Sequence, residues 1–131
     1  MRHPDCWGHR PAVMGVINIT PDSFSDGGRF NRADLALSEA TRQIRDGAQV
    51  LDLGAQSTRP GAHEVGVEKE LARLLPCLEV IRAAHPQVII SVDTFLAPVA
   101  RAALEAGADW INDVSGGRRD PAMLPLVADA G

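Results

Sequence analysis

The sequence predicts an α/β fold built from repeated βα units with parallel strands. Three observations carry that prediction. Four short runs, residues 13–19, 50–53, 88–92 and 110–114, are almost continuously apolar and rich in β-branched residues, as strands buried on both faces are. Helical periodicity fills the intervals between them. Two intervals end alike, in "DGAQVLDLG" and "EAGADWINDV", where a Gly-Ala pair closes a helix just before the next strand. The order β-α-β-α-β-α-β-α fits an open doubly wound sheet or the first half of a (β/α) barrel, a whole barrel needing about 250 residues.

The first run, within "VMGVINITPDSFSDGG", ends in Asn18, Thr20, Asp22, Ser23, Ser25, Asp26, Gly27 and Gly28, with Phe24 among them. A plain turn needs one or two such residues. The next helix is read from Ala33, Leu37, Ala40 and Ile44, with Asp34 near its N-terminus. After the second strand comes "GAQSTRPGA", in which Pro60-Gly61 is turn chemistry. Leu71, Leu74, Leu75, Leu78 and Ile81 then form an apolar stripe, and Pro76 inside it predicts a kink or a split. Val99, Ala103 and Ala106 mark a third helix, opened by Pro98 and closed by Gly107. A fourth begins near Pro121.

Composition excludes several classes of function. The chain has 131 residues, 45% hydrophobic and 4% aromatic, enough for one globular domain with a core. A net charge of −4, with Arg118-Arg119 as the longest basic cluster, argues against nucleic acid or an anionic membrane surface as a partner. Cys6 and Cys77 fit no metal or redox spacing and read as free thiols of a reducing compartment. "MRHPDCWGHR" has no apolar core for a signal peptide, and no run is long enough to span a membrane. A soluble cytoplasmic protein is expected.

Polar groups fall at the carboxyl end of each strand: Asn18, then Thr58 and Arg59, then Asp93 and Thr94, then Asn112 and Asp113. In parallel α/β folds that edge is where ligands bind. Asp93 can accept the paired N–H groups of a flat heterocycle, and Asn112 offers a donor and an acceptor to a second edge. The planar fork of Arg59 suits phosphate oxygens. The amide oxygen of Asn18 can coordinate a hard cation such as Mg²⁺. Asp113 reads as a helix cap or the partner of a neighbour, and mid-strand Asp52 as a satisfied structural group. Trp110 reads as core with an N–H that needs a partner. His3, His9, His63 and His85 show no metal spacing and read as solvated. Residue types alone lead to an α/β protein that binds phosphate or a heterocycle.

"MGVINITPDSFSDGG", "LDLGAQSTRPGA", "ISVDT" and "INDVSGG" resemble dihydropteroate synthase, in that family's order and near its spacings. The resemblance covers nearly the whole chain after "MRHPDCWGHR". It implies a (β/α)₈ barrel, with residues 1–131 as one partial domain supplying the first four units. It implies condensation of a dihydropterin-methyl diphosphate with p-aminobenzoate, giving dihydropteroate and diphosphate for folate synthesis. By motif, Asn18 matches the Mg²⁺ and diphosphate position. Thr58 and Arg59 match a second loop that contacts diphosphate and frames the aminobenzoate. Asp93 and Asn112 match pterin-binding positions, and Asp22, Phe24 and Ser25 lie in a loop that covers the second substrate. No covalent nucleophile is implied: diphosphate departs and the arylamine attacks the methylene carbon.

Two departures from the family pattern stand out. Ala55-Gln56 replaces a commoner Gly-Glu pair, and the Gln keeps size and hydrogen bonding while losing the charge. The family's later pterin-binding Asp, its Ser-x-Lys segment and its Arg-x-His segment lie beyond Gly131. The resemblance therefore implies an N-terminal fragment, inactive alone and prone to associate, of a full-length homodimer. Rival readings are a noncatalytic half-barrel binding module and a pterin-binding fragment of a methyltetrahydrofolate methyltransferase. The "TPDSFSDGG" and "STRPGA" loops are not expected in the latter.

Overall fold

The computed structural model describes residues 1–19, 32–56 and 66–131. Four strands and four helices alternate along them: β1 (Met14–Asn18), α1 (Arg32–Arg45), β2 (Val50–Gly54), α2 (Val67–Ala84), β3 (Ile89–Asp93), α3 (Ala97–Glu105), β4 (Trp110–Asn112) and α4 (Met123–Ala130). The strands form one sheet in the order β1-β2-β3-β4, every pair parallel. Each strand thus pairs with its neighbour in sequence, and α1, α2, α3 and α4 lie side by side in the same succession. A doubly wound sheet reverses its strand order at a switch point; this one does not. The sheet is wound in one sense, as in a barrel.

The pairing register sorts side chains onto two faces. Ile17, Leu51, Leu53, Ile90 and Val92 point to the helices, where they meet Ala36, Ala40, Leu74, Leu78, Ile81 and Val99 in the main core. The other face holds Met14, Val16 and Asn18 on β1, and in register with them Val50, Asp52 and Gly54, then Ile89, Ser91 and Asp93. Trp110 and Asn112 continue the rows of Ser91 and Asp93. Val16, at 56% exposure, shows that this second face is open at β1, whereas Ile17 next to it is 2% exposed.

Two helix ends are made by the same device. Gly47 (φ +113°) and Gly107 (φ +110°) adopt the left-handed region that L side chains avoid. After α1, Ala48 N–H donates to Gln43 O at 2.9 Å and Gly47 N–H to Ile44 O at 3.0 Å. After α3, Ala108 N–H donates to Ala103 O and Gly107 N–H to Leu104 O, the same paired closure. The next residues enter the sheet at once: Gln49 N–H donates to Val13 O, and Asp109 N–H to Ile90 O. The repeated Gly-Ala thus turns each helix directly into the next strand.

Pro76 does not split its helix, which runs unbroken from Val67 to Ala84. Proline removes the donor for the carbonyl of Ala72, but Pro76 and Ala72 both lie on the exposed face, where the freed carbonyl is open to solvent. Trp110 is half-buried rather than core. It stacks on Trp7, with ring centroids 5.5 Å apart, and its Nε1 donates to Arg2 O at 2.8 Å. His85 is half-buried against Thr41 (2.9 Å), and His3 stacks on Trp7, so neither is simply solvated. Cys6 and Cys77 are free and buried, and burial pushes the Cys77 thiol up to about 11. Among the described residues no helix is long and apolar enough to cross a membrane.

Candidate functional site

Parallel strands in step bring their last residues together. Asn18, Gly54, Asp93 and Asn112 are successive register partners and form one row along the carboxyl edge of the sheet. Three of them are polar side chains that the sequence singles out; the fourth is a glycine. A Cβ at Gly54 would lie 3.6 Å from Asp93 Oδ2, so the Asp93 carboxyl leans over the space that glycine leaves. The Asn18 and Asn112 side chains are exposed, while Asp93 is half-buried.

The row beneath consists of Val16, Asp52, Ser91 and Trp110. Asp52 is buried and satisfied, as its mid-strand position predicts. Its Oδ1 accepts from Ser91 Oγ at 2.7 Å and its Oδ2 from Asn112 Nδ2 at 3.3 Å. The second bond reaches from β2 past β3 to β4. Asp113 caps no helix; it pairs with its neighbours in a turn, where Oδ1 accepts from Ser115 N–H and Oγ, and Oδ2 from Gly117 N–H.

One group at this edge has no counterpart in the sequence reading. Glu70, on α2, is fully buried; Gln56 Nε2 donates to its Oε2 at 3.1 Å, and its Oε1 has no hydrogen-bond partner among the described residues. Burial holds its pKa above the ordinary value, against the lowering effects of Thr94, Gln56 and Arg73. The spacing contains the signal: Glu70, Leu74, Cys77 and Ile81 recur at helical intervals, so the carboxyl falls on the buried stripe. It also gives Gln56 a role. A glutamate at that position would set a second carboxylate against Glu70, whereas the amide donates to it.

These carboxyls act on Asp93. Burial first, then the negative charges of Asp52, Glu70 and Asp113, raise its pKa to about 6. An edge of this character repels a bare anion and suits a flat ring that brings N–H donors. The anion-binding part of the site is expected elsewhere, at Thr58 and Arg59. Those two residues, with Asp22, Phe24 and Ser25, lie outside the described residues.

Among the described residues no group of three His, Cys, Asp or Glu side chains could hold a metal ion. The candidate ligand of the sequence, Asn18, is an exposed amide at the end of β1. As a single neutral oxygen donor it fits Mg²⁺ only where waters and the oxygens of a bound phosphate fill the other positions, the ion keeping several waters when it binds with substrate phosphates.

The chain matches the family described as "Pterin binding enzyme" over residues 14–131. It is 48% identical to the dihydropteroate synthase of Synechocystis sp. over 122 residues, which are 93% of this chain and 42% of that protein. It is 49% identical to the Mycobacterium leprae dihydropteroate synthase, across 91% of this chain and 41% of that one. Among solved structures, the Xanthomonas albilineans dihydropteroate synthase with 4-aminobenzoic acid superposes with a TM-score of 0.86 at 48% identity, covering 95% of this chain and 48% of that chain. The same enzyme in complex with 7,8-dihydropteroate gives a TM-score of 0.80 at 43% identity. The chain thus spans less than half the length of these relatives, and its four βα units correspond to half of their barrel. On the match across residues 14–131 and the shared fold, the chain belongs to the pterin binding enzyme family.

Proposed function

We propose that this chain works as part of a dihydropteroate synthase, joining p-aminobenzoate to a dihydropterin-methyl diphosphate with release of diphosphate. The observation that carries the reading is the row Asn18, Gly54, Asp93, Asn112, set in a chain of which 93% aligns at 48% identity with 42% of a dihydropteroate synthase. Asp93 and Asn112 grip the hydrogen-bonding edge of the pterin ring. Asp93 supplies acceptors only, so it selects a ring edge with adjacent N–H groups; Asn112 supplies an acceptor and a donor. A ring that donates to Asp93 favours its anion and draws the pKa of about 6 downward.

Thr58 and Arg59 hold the diphosphate by a hydroxyl and a planar cation, and help frame the aminobenzoate. Asp22, Phe24 and Ser25 belong to the loop that covers the second substrate. Asn18 would hold Mg²⁺ through its amide oxygen, and the ion, when bound, neutralises charge on the departing diphosphate. The chain's residues position two substrates and stabilise charge; none forms a covalent intermediate. Residues 1–131 form one domain, part of a barrel that acts as a homodimer in the cytoplasm.

The test is diphosphate release on mixing both substrates with Mg²⁺. It is run on the 131-residue chain and on that chain joined to the remainder of its own gene product. Release that depends on p-aminobenzoate, in the joined form alone, is the expected result. Pterin binding without turnover in the joined form would make the protein a binding module. Absence of pterin binding would end the reading.

A further inference from the structure

We infer that Asp52 is a positioning residue for pterin recognition, fixing which face of the Asn112 amide meets the ring. This rests on the proposed pterin-binding role of Asn112. The sequence assigns Asp52 a structural part, and its side-chain hydrogen bonds run to Ser91 and Asn112. Its neighbours are what give it a further role.

An Asn side chain has two nearly isosteric orientations, which exchange a donor for an acceptor. Asp52 decides between them. It is 5% exposed and, as a carboxylate, only accepts. The group of Asn112 that faces Asp52 Oδ2 at 3.3 Å must therefore be Nδ2. Turning the amide over would set Oδ1 against the buried Asp52 carboxylate, a repulsion at a part-buried contact. The amide oxygen is thereby committed to the ligand side, where among the described residues it has no partner. A ring N–H is the group it can take.

Ser91 holds Asp52 in turn. Its hydroxyl, on a residue 1% exposed, donates to Asp52 Oδ1 at 2.7 Å. Ser91 lies on β3, between the strands of Asp52 and Asn112, so the carboxylate is held at one oxygen and reads Asn112 with the other. The polarity runs one way, from Ser91 and Asn112 into Asp52, and ends with an acceptor at the mouth.

The experiment compares the unaltered gene product that carries this chain with D52N and S91A. Titration calorimetry with 6-hydroxymethylpterin is combined with steady-state KM values for both substrates. An amide at position 52 can face either orientation of Asn112, so D52N is expected to bind the pterin about tenfold more weakly and to raise its KM alike. The KM for p-aminobenzoate should stay within about twofold, which general loosening of the fold would not allow. S91A keeps the carboxylate and should weaken pterin binding by only about two- to fourfold. Should D52N fail to fold, S91A decides: weaker pterin binding with an unchanged aminobenzoate KM supports the role, and unchanged pterin binding overturns it. Equal pterin affinity in folded D52N and the unaltered protein overturns it likewise. If the unaltered protein itself binds no pterin, the functional reading fails first, and this inference with it.

Discussion

Arg82 donates through Nη2 to Asp109 Oδ2 at 2.7 Å, tying the last turn of α2 to the residue that leads into β4. Arg2 approaches the other oxygen at 2.8 Å, and Ile90 N–H donates to Oδ2 at 3.0 Å. One carboxylate therefore joins the N-terminal segment, α2, β3 and the start of β4, at the amino end of the sheet and away from the candidate site. Removing it leaves the partly buried Arg82 without its counter-ion. Asp109→Ala is expected to cost about 2–3 kcal/mol in urea unfolding. Arg2→Ala should cost under about 1 kcal/mol, because Arg2 is half exposed.

The same carboxylate sets an acid response. Burial tends to raise the Asp109 pKa, but the Arg2 hydrogen bond, the Ile90 N–H and the charges of Arg82 and Arg2 hold it below the ordinary 3.8. A folded value below the unfolded one means stability that is present above the unfolded pKa and lost as pH falls through the folded one. Below about pH 4 the unaltered chain should lose its excess stability over Asp109→Asn. Urea midpoints measured down the acid range check this.

Asp93 has the opposite sign. Its pKa is raised to about 6 from an ordinary 3.8, so the folded state holds the proton more tightly. Stability is fullest below the unfolded pKa and declines as pH rises through the folded one. Asp93→Asn removes that decline. Above about pH 6 it is expected to be more stable than the unaltered chain by about 1–2 kcal/mol, a figure reduced for partial solvent screening. The two stability curves should converge below about pH 4. Within the proposed function, pterin binding should weaken in the same variant, as for a residue that trades stability for a ligand contact.

Gly47 and Gly107 offer a matched pair. Their φ values are nearly equal, but a Cβ at Gly47 meets nothing within 4 Å, whereas at Gly107 it lies 3.1 Å from Arg82 Cγ. Gly47→Ala should cost about 1 kcal/mol from backbone conformation alone. Gly107→Ala should cost more, since it also displaces the side chain that holds Asp109. Equal losses in thermal unfolding would mean that Arg82 moves aside freely.

Within the proposed function, Arg59→Ala should weaken a diphosphate-bearing pterin about tenfold or more while sparing 6-hydroxymethylpterin, as loss of a charge-assisted contact requires. Calorimetry with both ligands separates that outcome from a change of loop shape, which would affect them equally.

The strands and helix stops were legible because each is written locally: Ile17 and Leu53 in apolar runs, Gly47 and Gly107 just past a helical stripe. Asn18, Asp93 and Asn112 were legible as strand-end residues, and parallel pairing in step does bring them into one row. Their relation to Asp52 was not, because a bond from β2 to β4 depends on register and sheet curvature, which no local pattern encodes. The split expected at Pro76 does not occur, for a related reason. Whether proline splits a helix depends on whether the freed carbonyl meets water, and the exposed face at Ala72 answers that only in three dimensions. The N-terminal contacts of Arg2 and Trp7 were invisible because they join segments more than 100 residues apart.

That separation has a kinetic side. Every strand pair joins successive units, so the sheet can zip unit by unit, each step closing a modest loop. The Arg2–Asp109 contact spans 107 positions and needs β3 and the entry to β4 already in place. It belongs to the final stage of assembly. In a chevron analysis Arg2→Ala should leave the folding limb unchanged and speed unfolding, the signature of a latch that closes after the rate-limiting barrier.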